Sequence, residues 1–184
     1  PQVWASRQGR IETIRRYVKK MIVLFKFEEE FYKKHGINVD FVGHPLLDIV
    51  KINTAKERLL SHYGLTRSTP VIAMLPGSRI TEIKHILPVM LATAHQLKNK
   101  HPHAAFIVAA VPTIPLHIYR NIIEKSPVLP IVMENKTYEC LNAADAAIVC
   151  SGTATLEAAI IGNPFVVAYR TNLLTYLLYK PQIR

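Results

Sequence analysis

Two cysteines, Cys140 and Cys150, are all that this 184-residue sequence holds, and both lie in apolar surroundings. So few thiols argue against a disulfide framework or a cysteine-based metal site. They read as small buried hydrophobes of a reducing compartment. No apolar run approaches the ~18 residues that span a bilayer, and no secretory signal is visible, which predicts a cytoplasmic protein. No Gly-Lys-Ser/Thr follows a four-residue spacer, so there is no Walker A loop, and the G-x-G-x-x-G fingerprint of dinucleotide enzymes is also absent. There is no Asp-x-Asp pair, and the eight histidines lack metal-ligand spacing. No metal and no cofactor are therefore expected. Internal repeats and low-complexity linkers are missing, and so is an initiator Met: "PQVWASRQGR" opens like the middle of a loop.

What is present is an apolar half, 49% of residues, and a formal charge of +10. The first is enough for a substantial core. The second points to an anionic partner: phosphorylated small molecules, a membrane surface or nucleic acid. Without an RNA-binding aromatic signature or zinc-finger spacing, no nucleic acid is expected. The basic residues gather early, as Arg7, Arg10, Arg15, Arg16, Lys19 and Lys20. A helix over 8–20 would put Ile11, Ile14 and Val18 on one apolar face and the Arg/Lys set around the rest. That set is either a solvated face or one drawn to an anionic membrane.

Along the chain, 21–25 reads as a short buried strand. "KFEEEFYKKHG" reads as a helix with early acids, late lysines and Gly36 as its stop. "VDFVGHP" reads as a strand and turn, and "TAKERLLSHYGL" as a helix closed by Gly64. From Pro70 onward the spacing predicts strands at 71–75, 104–110, 130–133, 146–149 and 165–168. Helices are predicted at 81–98, 116–125, 137–143 and 153–161. The strands are continuous apolar runs, the pattern of parallel strands buried on both faces. Five strand–helix alternations predict an α/β fold, a doubly wound parallel sheet.

In such sheets ligands bind beyond the C-terminal strand ends. Two loops there carry chemistry. In "LPGSRITEI", Gly77 permits close backbone approach, Ser78 offers a hydroxyl or a cap, and Arg79 offers a fixed positive charge, a set suited to phosphate. Glu82 is favoured early in the helix by the dipole, whatever else it does. In "CSGTATLEAAIIGNP", Ser151 and Gly152 turn the chain. Thr153 and Ala154 then open a small-residue helix whose bare N–H groups suit a diphosphate. Glu157, one turn inside, is placed to accept from ribose hydroxyls. His44, before Pro45, reads as a turn histidine.

Together, "PQVWASR", "FVGHPLLD", "LPGSRITEI" and "SGTATLEAAIIGNPFVVAYR", in this order, resemble the lipid-A-disaccharide synthase family. These are inverting glycosyltransferases of two-lobed GT-B architecture. The resemblance implies transfer of 2,3-diacylglucosamine from UDP-2,3-diacylglucosamine to 2,3-diacylglucosamine 1-phosphate. A β-1,6 disaccharide and UDP would result, on the inner face of the cytoplasmic membrane. It implies that Gly77, Ser78, Arg79, Ser151, Gly152, Thr153, Ala154 and Glu157 surround UDP. Residues 1–42 would end an acceptor lobe, 43–170 would form the Rossmann-like UDP-sugar lobe, and 171–184 would begin a helical segment. Where the family carries a second Trp after Val-Trp-Ala, this chain has Ser6. The family's general base lies upstream of the position of Pro1, so no catalytic residue is named. The chain alone is expected to bind donor without completing transfer. Two other readings share these features: a UDP-N-acetylglucosamine 2-epimerase-like enzyme and a catalytically incomplete UDP-sugar-binding module.

Overall fold

The structure is a computed structural model that describes residues 3–4 and 8–170. Arg7, Ser6 and the expected helical segment 171–184, with Leu174, Leu177 and Leu178, lie outside the described residues. The chain divides into two compact units, one ending at Ile49 and the other beginning at Val50.

In the first unit a 3-10 turn, Gln8–Arg10, runs into helix α1 (Ile11–Tyr17). Strand β1 (Met21–Val23), helix α2 (Lys26–Lys34), strand β2 (Val39–Phe41) and the single turn α3 (Leu46–Ile49) follow. The two strands pair in parallel, Met21 opposite Val39 and Val23 opposite Phe41. Ile11 and Ile14 join Met21, Val23, Tyr32, Ile37 and Val39 in one apolar core. Val18 does not. The helix predicted to run to Lys20 ends at Tyr17, and Val18 is extended and 42% exposed. The chain has to straighten before β1, and a β-branched residue favours that. The turn α3 was not expected from the sequence. His44 packs against Phe25 with its ring tilted and accepts the N–H of Leu46 through Nδ1, which holds this segment to the first unit.

Trp4 packs within the same unit. Its ring stands edge-on to Phe27, and its Nε1 donates to Glu28 Oε1 at 3.1 Å. Glu28 is buried, and its Oε2 also accepts the N–H groups of Leu24 and Phe25, both at 3.2 Å. This is the glutamate half of a capping box, and it closes the start of α2.

The second unit begins with helix α4 (Lys56–His62) and is built on five strands: β3 (Val71–Leu75), β4 (Ala105–Ala110), β5 (Ile131–Glu134), β6 (Ala146–Cys150) and β7 (Phe165–Ala168). Between them run α5 (Ile80–Lys100), α6 (Leu116–Ile123), α7 (Thr137–Ala143) and α8 (Thr153–Ile161). All pairings are parallel, in the order β5-β4-β3-β6-β7. Strands β3, β4 and β6 bury both faces because their side chains alternate between two cores, whereas Val166 and Val167 of β7 are exposed. Met74, Phe106, Val108 and Ala110 meet Ile83, Leu87, Met90 of α5 and Tyr119 of α6. Ala73, Leu75, Ile107 and Val149 meet Leu59 and Leu60 of α4, Leu141 of α7 and Ala158 of α8. The expected doubly wound α/β sheet is therefore observed.

The strand order reverses between β3 and β6. Connections from β3 lead outward one way, through β4 to β5, and then return to β6 on the other side. That gap is the topological switch point, where a crevice opens at the C-terminal strand ends. Among the described residues no helix is long and apolar enough to cross a membrane.

Candidate functional site

A pocket of about 500 Å³ opens at the switch point. Its floor is Leu75, Ala109 and Cys150 at the ends of β3, β4 and β6. Gly77, Ser78, Arg79 and Glu82 form one wall, and Ser151, Gly152, Thr153, Ala154 and Glu157 form another. Every UDP-site residue named from the sequence thus lines one cavity. A third wall was not anticipated: Asn135, from the turn after β5, with Thr137, Tyr138 and Glu139 of the first turn of α7. Asn135 holds φ +54°, the left-handed conformation that Asn tolerates better than most residues. A polar residue with that habit between a strand and a helix is the sequence signal for this wall.

On the first wall the helix begins at Ile80 with Arg79 in the N-cap position, so Ser78 stands one residue outside it and is not the cap. Glu82 does the capping. Its Oε2 accepts the N–H groups of Ser78 at 2.9 Å and Arg79 at 3.3 Å, and its Oε1 accepts Arg79 Nη1 at 2.5 Å. Burial alone would raise the Glu82 carboxyl. The Ser78 N–H and then the Arg79 guanidinium outweigh it, and the group lies below its ordinary value. Gly77, at φ +116°, makes room for this arrangement: a Cβ there would stand 2.5 Å from Glu82 Oε2.

The second wall is built differently. Gly152 is the N-cap of α8 at φ +157°, with open space where a Cβ would be. Among the described residues no side chain caps this helix, so its first-turn N–H groups face outward with the positive end of the dipole. Thr155 Oγ1 donates to the Gly152 carbonyl at 2.7 Å and tightens the turn from behind. Glu157 receives the Tyr138 hydroxyl on Oε1 at 3.2 Å. Burial, then the Glu157 charge, push the Tyr138 phenol up, so it stays a donor at neutral pH.

Among the described residues that line the pocket, only Arg79 is cationic, against the carboxylates of Glu82, Glu139 and Glu157. An anion in this pocket is therefore met by one guanidinium and by backbone dipoles. The Cys150 thiol on the floor is raised by burial and then by Glu82. Cys140 lies on the buried face of α7, its thiol pushed up to about 12 by burial. Both cysteines are inert packing groups, as their surroundings in the sequence suggested. Among the described residues no three His, Cys, Asp or Glu side chains converge as a metal would require.

A family model described as lipid-A-disaccharide synthetase matches residues 1–184. A lipid-A-disaccharide synthase of Syntrophus aciditrophicus (strain SB) is 41% identical over 179 residues, covering 97% of this chain and 47% of the relative. One from Myxococcus xanthus (strain DK1622) is 39% identical over 176 residues, covering 96% and 46%. The chain thus spans about half the length of the curated relatives it matches. A glycosyl transferase family 9 structure from Veillonella parvula DSM 2008 aligns over 72% of this chain and 44% of its own, at TM-score 0.44 and 14% identity.

Proposed function

The chain belongs to the lipid-A-disaccharide synthetase family, and from that premise we propose that the switch-point pocket holds the UDP of a UDP-2,3-diacylglucosamine donor. The whole protein then transfers the diacylglucosamine to the 6-hydroxyl of 2,3-diacylglucosamine 1-phosphate, forming a β-1,6 disaccharide and releasing UDP. The observation that carries this reading is the meeting of Arg79, the uncapped start of α8 and Glu157 around one cavity.

Each group has a task suited to its chemistry. The diphosphate is met by Arg79 and by the N–H groups of Thr153 and Ala154, with Ser151 and Gly152 forming the turn that presents them. Glu157 accepts from the ribose hydroxyls, with one of its oxygens steadied by Tyr138. Gly77 and Ser78 shape the loop that carries Arg79. As the glycosidic bond to UDP breaks, negative charge gathers on the departing phosphate. Donors already in place there lower the barrier without reorganising. A general base takes the proton of the acceptor hydroxyl; no residue of this chain is assigned to it.

The site of work is the inner face of the cytoplasmic membrane, where the protein sits peripherally, drawn by anionic lipid. Arg16 and Lys19 beside exposed Tyr17 and Val18 support this. Arg15 and Lys20 are spent in part on Glu12 and Asp40. Vesicle binding is expected to require anionic lipid and to fade with salt.

The pocket reading is tested by calorimetric titration with UDP and with uridine. Arg79→Ala is expected to weaken UDP by about 1.5–3 kcal/mol and to spare uridine. Glu157→Ala is expected to weaken both alike, by about 1–3 kcal/mol. Equal losses of UDP and uridine in Arg79→Ala remove Arg79 from the phosphates, and unchanged affinities in Glu157→Ala remove Glu157 from the ribose.

A further inference from the structure

The first wall of the pocket is occupied from within. Glu82 commits both carboxylate oxygens, Oε2 to the Ser78 and Arg79 N–H groups and Oε1 to the Arg79 guanidinium. Its side chain is 19% exposed, and Gly77 lies against it too closely for a Cβ to fit. The same device stands at the start of α2. There Glu28 accepts the Leu24 and Phe25 N–H groups on one oxygen and Trp4 Nε1 on the other. At α2 the third donor is an indole, so the arrangement there is part of the fold and not a stand-in for a ligand. By the same construction, Glu82 belongs to the loop. Arg79, in contrast, engages Glu82 through Nη1 alone, and its side chain is 75% exposed on the pocket wall.

We propose that Glu82 is a positioning residue of the diphosphate site. It retains the Ser78 and Arg79 N–H groups for itself and holds the Arg79 guanidinium against the cavity. The first loop then offers a ligand a side chain, and the α8 loop offers it backbone. This rests on the UDP reading above and assigns Glu82 no contact with substrate; it acts through Arg79. Tethering one edge of the guanidinium lowers the entropy that the side chain loses on meeting a phosphate.

The test is a cycle of UDP and uridine titrations on the full-length protein: wild type, Arg79→Ala, Glu82→Gln and the double variant. Glu82→Gln is expected to weaken UDP about 10-fold, since it loses a charge-assisted contact, while uridine moves less than about 2-fold. In the Arg79→Ala background the same change is expected to move UDP less than about 2-fold, because its target is gone. Amide NMR adds a readout that a structural role would not move. Saturating UDP is expected to shift the Thr153 and Ala154 amides and leave those of Ser78 and Arg79 in place. If Glu82→Gln unfolds the loop, Glu82→Asp keeps the charge and is expected to hold UDP affinity closer to wild type than Glu82→Gln does. Tighter UDP binding by Glu82→Gln makes Glu82 a competitor for the phosphate site and overturns the proposal. A loss that persists without Arg79 overturns it too, as do Ser78 and Arg79 amides that move as far as that of Thr153. Wild type that binds UDP no better than uridine overturns the diphosphate reading itself, and is seen before any change at Glu82.

Discussion

The two walls that face each other across the switch point begin alike and end differently. Each is a strand end, a glycine at positive φ and a helix start, β3 to α5 on one side and β6 to α8 on the other. At α5 Glu82 takes the Ser78 and Arg79 N–H groups just ahead of the helix, and at α8, among the described residues, no side chain takes the corresponding donors. Gly77 is needed because a carboxylate fills the space beside it; Gly152 has open space and is needed only for its backbone angle. The lesson is that a glycine-bearing turn into a helix is not in itself an anion site. What decides is whether the chain has already satisfied the donors.

The largest expected effect that separates the walls comes from their glycines. Gly77→Ala meets both a forbidden angle and Glu82, so a stability loss of about 3 kcal/mol is expected, together with loss of the Arg79 orientation. Gly152→Ala meets the angle alone, and about 1–2 kcal/mol is expected. Equal losses in denaturant unfolding would break the comparison. Next in size, Tyr138→Phe removes the donor to Glu157 Oε1. UDP and uridine are both expected to weaken about 2- to 5-fold, with unfolding nearly unchanged; calorimetry decides, and an effect on UDP alone would move Tyr138 to the phosphate wall. An effect of comparable size is read in acid. Because the Glu82 carboxyl is held below its ordinary value, its stabilisation is complete above the ordinary carboxylate range. It is lost as pH falls through the lower native value. Glu82→Gln is therefore expected to be less stable than wild type by about 1 kcal/mol at neutral pH, the worth of a cap. The gap should narrow in thermal unfolding as pH approaches 3, and a gap that stays constant would deny the charge its role.

Much of this was legible in the residues. β3, α7, α8 and β7 run as expected because continuous apolar strands bounded by turns leave little choice of register. That the eight residues named from the sequence would meet at one cavity was legible for a topological reason, since both loops follow strands that neighbour one another in a doubly wound sheet. What was not legible depends on contacts across sequence or on segments too short to show a period. α3 is a single turn without periodicity. α1 stops at Tyr17 because a strand follows within four residues. The wall at Asn135 and Tyr138 carries neither a cation nor a glycine, and the sheet order is what brings it to the cavity. Gly77 looked made for a ligand's approach, whereas the space beside it belongs to a carboxylate five residues on.

The pocket also reports on the chain that builds it. β4, α6, β5 and α7 all lie in sequence between its two principal walls, which meet only because β3 and β6 pair directly. No half of the sheet presents both Arg79 and Glu157. A ligand that needs both therefore binds only molecules in which the long-range β3–β6 pairing is complete. By mass action its affinity is converted into resistance to unfolding of the whole sheet, about 2.7 kcal/mol at a hundredfold excess over the dissociation constant. The rise in melting temperature with UDP is then a measure of cooperativity as much as of recognition.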